Sequence, residues 1–113
     1  MPVRLRICAV SYLNTVPLVW GFTHGPLKGL YDLRFEVPAV CADTLGAGGA
    51  DVGLVPVIEL TNQPDLLVLS GTAIASRGPV RSVLLFSRKP LESIQSLAAD
   101  ESSRTSVALA QVV

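Results

Sequence analysis

Histidine, cysteine and charge are all scarce in this sequence, and each scarcity closes off a class of chemistry. The 113 residues contain a single histidine, His24. A zinc site or a triad with a histidine base therefore has almost no material to work with. The two cysteines, Cys8 and Cys41, are far apart and lack metal-ligand spacing. Each sits among apolar neighbours (Ile7 and Ala9, Val40 and Ala42), which reads as buried thiols in a reducing compartment. Only 16% of the residues are charged, nine basic and nine acidic, for a net charge of zero. That balance gives no general attraction to nucleic acid or to an anionic membrane. A charged ligand has to be held by local groups instead.

Long apolar runs are missing too. No segment reaches the roughly 18 uninterrupted apolar residues needed to span a membrane. The basic start Met1-Pro2-Val3-Arg4-Leu5-Arg6 leads into apolar residues as a signal peptide does. However, Ser11, Asn14, Thr15 and Pro17 interrupt the run early, and no small-residue cleavage site follows. The expectation is a soluble, cytoplasmic protein. What is plentiful is hydrophobicity: half of the residues are hydrophobic, which excludes disorder by composition. The length suits one ordinary domain with one core.

Apolar residues and punctuation then divide the chain. Arg4 to Val10 becomes apolar after a partial alternation, as in a parallel strand covered on both faces. Ser11 to Asn14 is a polar loop, and Leu13, Val16, Pro17 and Trp20 recur at helical spacing until Gly21 and Gly25-Pro26 end the pattern. Leu33, Phe35 and Val37 alternate with Arg34 and Glu36, a second strand. Pro38 can open a helix because its missing amide would be unpaired there. Val40, Cys41, Thr44 and Leu45 supply the buried stripe of that helix, and Gly46, Gly48 and Gly49 stop it. Asp51 to Val55 returns as a third strand, and Pro56 opens a short turn or helix through Leu60.

Beyond Asn62, the apolar runs predict strands over 66–69, 80–87 and 94–99, with a weaker extended piece over 73–76. Lys89-Pro90-Leu91 begins a short connecting helix. Asp100, Ser102 and Ser103 supply capping groups for a final helix with the stripe Val107, Leu109, Ala110 and Val113. Strands alternating with helices imply a layered α/β sheet with right-handed crossovers. Nothing follows the last helix to return a strand, so the expectation is the amino-terminal part of a longer protein.

Three polar clusters are candidates for binding or chemistry. Ser11-Tyr12-Leu13-Asn14-Thr15 follows the carboxyl end of the first strand, where ligands bind in parallel α/β sheets. Ser11 or Asn14 can equally serve as a helix cap, and residue types alone do not separate the two roles. Gly78-Pro79-Val80-Arg81-Ser82 is a turn feeding a strand. It can point Ser82 into a cleft, while Arg81 either neutralises a carboxylate or stands exposed. Ser102-Ser103-Arg104-Thr105-Ser106 lies at a predicted helix start. Free amides and the helix dipole suit a carboxylate there, and capping alone does not account for four hydroxyls. Asp51 reads as fixing the start of its strand, Glu59 as an acid with no second carboxylate beside it, and His24 as a surface turn residue.

Four stretches together resemble the menaquinone biosynthesis family of the futalosine pathway, in its chorismate dehydratase branch. They are Ser11-Tyr12-Leu13-Asn14-Thr15-Val16-Pro17-Leu18, Asp51-Val52-Gly53-Leu54-Val55-Pro56, the run from Gly78 to Ser87, and the run from Ser103 to Leu109. Each alone is ordinary, but four in the family's order and spacing are specific. The sister branch, which cyclises a dehypoxanthine futalosine intermediate, shares the fold and differs in the first loop. A non-catalytic solute-binding protein of the same architecture is the rival from another class.

The resemblance implies a type 2 periplasmic-binding-protein fold with the ligand between two lobes. Residues 1–90 would form most of a three-layer α/β/α first lobe, and 91–113 the hinge and start of the second. It implies conversion of chorismate to 3-[(1-carboxyvinyl)oxy]benzoate with loss of water. Aromatisation drives the reaction, so neither a metal nor an organic cofactor is expected. By the same resemblance the catalytic residues would be Asn14, which contacts the reacting ring, and Ser82, which hydrogen-bonds the substrate. Ser11, Tyr12, Arg81, Ser103, Thr105 and Ser106 would bind the small dianionic substrate, with no nucleic-acid or membrane partner.

Overall fold

The computed structural model describes residues 3–112. Its centre is β1 (Arg6–Val10), flanked by β2 (Asp32–Glu36) and β3 (Val52–Gly53) in a parallel sheet of order β2-β1-β3. Arg6 lies opposite Asp32 and Val10 opposite Glu36, while Ile7 and Cys8 lie opposite Val52 and Gly53. Parallel neighbours need crossovers, and helices provide them. A 3-10 turn (Leu13–Thr15) and α1 (Val16–Thr23) connect β1 to β2, and α2 (Pro38–Gly46) connects β2 to β3. Further on come α3 (Glu59–Asn62), a 3-10 turn at Leu91–Ser93 and α4 (Arg104–Val112). The protein is therefore α/β, with a small three-stranded parallel sheet. Among the described residues no helix is long and apolar enough to cross a membrane.

Small side chains let α2 sit close on the sheet. Cys8, Val10, Cys41 and Ala50 form one buried cluster, with Leu45 and Leu54 packed against it. The Cys8 thiol donates to Cys41 Sγ at 3.1 Å, and the Cys41 thiol donates to the Ala9 carbonyl at 3.3 Å. Both cysteines are free and buried, as their apolar neighbours suggested. Burial, then the contact with Cys8, pushes the Cys41 thiol up to about 12. Little thiolate exists there at neutral pH.

Local chemistry sets the ends of these elements. Pro38 is the first residue of α2. The helix closes with Gly48 N donating to the Leu45 carbonyl and Gly49 N to the Thr44 carbonyl. Gly48 has φ +74°, the left-handed conformation this closure needs and glycine adopts without strain. Asp51 fixes the start of β3, as its position after the glycines predicted. Its carboxylate accepts the Arg6 backbone amide at 2.8 Å and two guanidinium bonds at 3.1 and 2.8 Å. The Arg6 side-chain and backbone hydrogen bonds hold the Asp51 carboxyl down at about 2.

The third strand spans only Val52–Gly53 rather than Asp51 to Val55, and three further expectations need correction. The stripe Leu13, Val16, Pro17 and Trp20 is an exposed face, and the residues buried there are Thr15 and Val19. The 3-10 turn winds at about 3.0 residues per turn, so it rotates the face that α1 inherits. Gly21 lies inside α1 rather than ending it. Second, the apolar runs over 66–69, 80–87 and 94–99, and the piece over 73–76, form no sheet pairing among the described residues. Leu67, Leu84 and Phe86 are all exposed, Phe86 by 86%. Apolar composition encodes burial, but a strand also needs an edge to pair with, and these runs have none here. Third, in α4 Val107 and Ala110 are half-buried whereas Leu109 is exposed; Val113 lies outside the described residues.

The buried dithiol predicts that a thiol reagent modifies neither cysteine in the native protein at neutral pH and both after denaturation. Titration of free thiols with and without denaturant checks this. Asp51 predicts acid sensitivity, because its folded value lies below the ordinary 3.8. Its stabilising contribution is complete above about pH 4 and is lost as pH falls through about 2. Melting temperatures across that window should fall less steeply for Asp51→Asn than for the wild type.

Candidate functional site

The loop leaving the carboxyl end of β1 is the first wall of the site. Ser11 N donates to the Glu36 carbonyl at 2.9 Å, extending the β1–β2 ladder by one bond before the chain turns away. Ser11, Tyr12 and Asn14 are exposed. Neither the 3-10 turn nor α1 has a side-chain hydrogen bond capping its start. Ser11 and Asn14 make no side-chain hydrogen bond among the described residues, so capping does not occupy them. Thr15, beside Asn14, is 1% exposed, and its hydroxyl has no hydrogen-bond partner among the described residues.

The second wall is the segment entering α4. Ala39 N, in the first turn of α2, donates to the Ser102 carbonyl at 3.3 Å. The Tyr12 and Ser102 hydroxyls lie 3.4 Å apart, joining segments separated by 90 residues. Asp100 accepts the Ser102 amide at 2.9 Å and its hydroxyl at 2.7 Å, and these bonds lower the Asp100 pKa. The Ser103 hydroxyl donates to that of Ser106 at 2.8 Å. Thr105 Oγ1 is shielded from water without a partner among the described residues. A shielded hydroxyl with no protein partner is one that a ligand or a water can satisfy. The first amides of α4 lack intrahelical acceptors, so this wall presents hydroxyls and N–H donors together.

A cluster of opposite charges holds that helix start. Arg104 donates through one terminal nitrogen to Asp43 Oδ1 at 2.6 Å and through the other to Glu59 Oε1 at 3.1 Å. Glu59 is only 1% exposed. Gln63 donates to its other oxygen at 2.9 Å, and Asn62 to Oε1 at 3.3 Å. Burial alone would push the Glu59 pKa up; the bonds from Gln63, Arg104 and Asn62, with the Arg104 charge, outweigh it and lower the value. The two ion pairs differ in weight. Asp43 is exposed, and such pairs contribute about 0–1 kcal/mol. Stripping the partner from a buried charge costs roughly 3–5 kcal/mol, so Glu59 dominates.

The sequence candidates divide accordingly. Tyr12 meets Ser102, and Ser103, Thr105 and Ser106 follow in the same segment. Arg81 and Ser82 lie in an exposed bend after Gly78, with no hydrogen bond or ion pair to the other candidates among the described residues. His24 is exposed, stacked on Trp20 with ring centroids 3.8 Å apart, and its Nδ1 lies 2.7 Å from the Thr23 hydroxyl. Sequence reasoning gave Ser102 only a capping role and singled out neither Thr15 nor Arg104 as a site residue. For Arg104 a signal existed: a cation in the first turn of a helix opposes the helix dipole and calls for carboxylates nearby.

The walls thus combine a polar loop at a strand's carboxyl end with a hydroxyl-bearing helix start, a pairing suited to a small anion. A model of a family described as menaquinone biosynthesis matches residues 5–113, the whole stretch from before β1 to the end of α4. No solved structure matches the chain. On the strength of that match, the chain belongs to the menaquinone biosynthesis family.

Proposed function

We propose that the protein acts as a chorismate dehydratase in the futalosine route to menaquinone. Water is lost from chorismate to give 3-[(1-carboxyvinyl)oxy]benzoate. A ring proton leaves, the C–H electrons complete the aromatic ring, and the 4-hydroxyl departs as water. The observation that carries this reading is the approach of Tyr12 to Ser102 across 90 residues. It brings the Ser11–Thr15 loop and the α4 start, two of the four stretches that resemble this branch, to one place.

In this reading Ser103, Thr105, Ser106 and the first amides of α4 hold a substrate carboxylate, with Ser11 and Tyr12 on the facing wall. Asn14 meets the reacting ring and orients the proton or the leaving hydroxyl. An amide is a weak base, so the substrate's own carboxylate shares the proton transfer. Ser82 hydrogen-bonds the substrate, and Arg81 faces the second carboxylate, once the exposed 80–87 segment closes on the site. The fold is then of the type 2 periplasmic-binding-protein kind, working in the cytoplasm. Residues 1–90 belong to one lobe and 91–113 lead into the next. A two-lobed protein would cover the bare apolar surface of Val83 to Phe86, which supports that division.

In the full-length protein, Asn14→Ala should lower chorismate turnover by about 100-fold or more, the low end for a positioned proton-transfer group. Undiminished turnover by a folded variant would remove Asn14 from the mechanism. The 113-residue chain alone should consume no chorismate. Product formation by the purified chain, followed by chromatography, would contradict the two-lobed reading. Chorismate bound but returned unchanged by the full-length protein would mark it as a binding protein instead.

A further inference from the structure

We propose that Arg104 is a positioning residue, which holds the hydroxyl-bearing start of α4 in place and does not itself bind the ligand. The inference deepens the reading of that helix start as the carboxylate site and rests on it. Arg104 lies between Ser103 and Thr105 in sequence, where a guanidinium is the obvious group to credit with anion binding. Both of its terminal nitrogens are engaged elsewhere. One terminal nitrogen is on Asp43 at 2.6 Å and the other on Glu59 at 3.1 Å. With one cation and two carboxylates the cluster sums to −1, so it offers an incoming anion no net attraction.

What the cluster supplies is location. Glu59 belongs to α3, Asp43 to α2 and Arg104 to α4, so one side chain ties three helices. Gln63 extends the tie, since its Nε2 also reaches the Ala42 carbonyl at 3.2 Å. The backbone bond from Ala39 to Ser102 is the only other hydrogen bond between α2 and this segment among the described residues. A single bond of that kind leaves a helix start free to pivot. The two-pronged guanidinium removes the pivot, and its planar fork makes it hard to replace with lysine. The groove between α3 and α4, about 670 Å³, has Arg104 in its wall beside Asn62 and Val107.

The test is a double-mutant cycle of Arg104→Gln, Glu59→Gln and the pair together in the full-length protein. The paired variant leaves no orphaned buried charge, so it remains informative if Arg104→Gln fails to fold. Amide exchange over residues 102–107 is the first readout. Exchange should quicken about 10-fold or more in each variant, with the pair no faster than the singles, while β1 stays unchanged. The KM for chorismate is the second, expected to rise about 10-fold with kcat within about twofold, again without additivity. Unchanged exchange over 102–107 overturns the proposal, as do KM effects that multiply independently, which would mean that Arg104 touches the substrate itself. If the wild type does not turn over chorismate, the dehydratase reading fails while amide exchange still decides the role of Arg104.

Discussion

A carboxylate withdrawn from water must be surrounded by donors, and that requirement at Glu59 organises the helices around it. Three side chains converge on it, Asn62 and Gln63 from its own helix and the segment just after, Arg104 from 45 residues downstream. Satisfying the buried oxygens brings α4 to α3, and the second arm of the guanidinium brings α2 in as well. The sheet fixes where the loop after β1 emerges, and the Glu59 cluster fixes where α4 begins. Tyr12 and Ser102 meet because those two constraints are met at once.

The charged groups of the protein therefore do different work at different depths. Arg6 and Asp51, both partly exposed, form a bidentate clasp that sets the register of β3 on β1. The Arg104 cluster is anchored on a buried acid and sets the relation of helices. Each of these two arginines is paired with carboxylate.

Much of the fold was legible in the sequence wherever local pattern and tertiary setting agree. The apolar run of β1, the alternation of β2, Pro38 at the start of α2 and the glycines at its end all mark real elements. The face of α1 was misread because a 3-10 turn shifts the phase, which no helical period anticipates. The runs after Asn62 have strand-like composition without a pairing edge among the described residues, and pairing is a property of two segments rather than one. At the candidate site, the Ser11–Thr15 loop and the hydroxyls from Ser102 to Ser106 were visible as clusters. Their meeting was not, since the contact of Tyr12 with Ser102 spans most of the chain. Glu59 looked solitary because its partner is a cation far along the sequence, and only a search for opposite charges would have found it.

The stack of Trp20 on His24 has a use of its own. This is the sole indole facing the sole imidazole of the chain, on the helix that directly continues the Ser11–Thr15 loop. A disturbance of that loop that shifts the axis of α1 alters the overlap of the two rings. The protein thus carries a built-in optical gauge one and a half turns from its polar wall, readable without any attached dye.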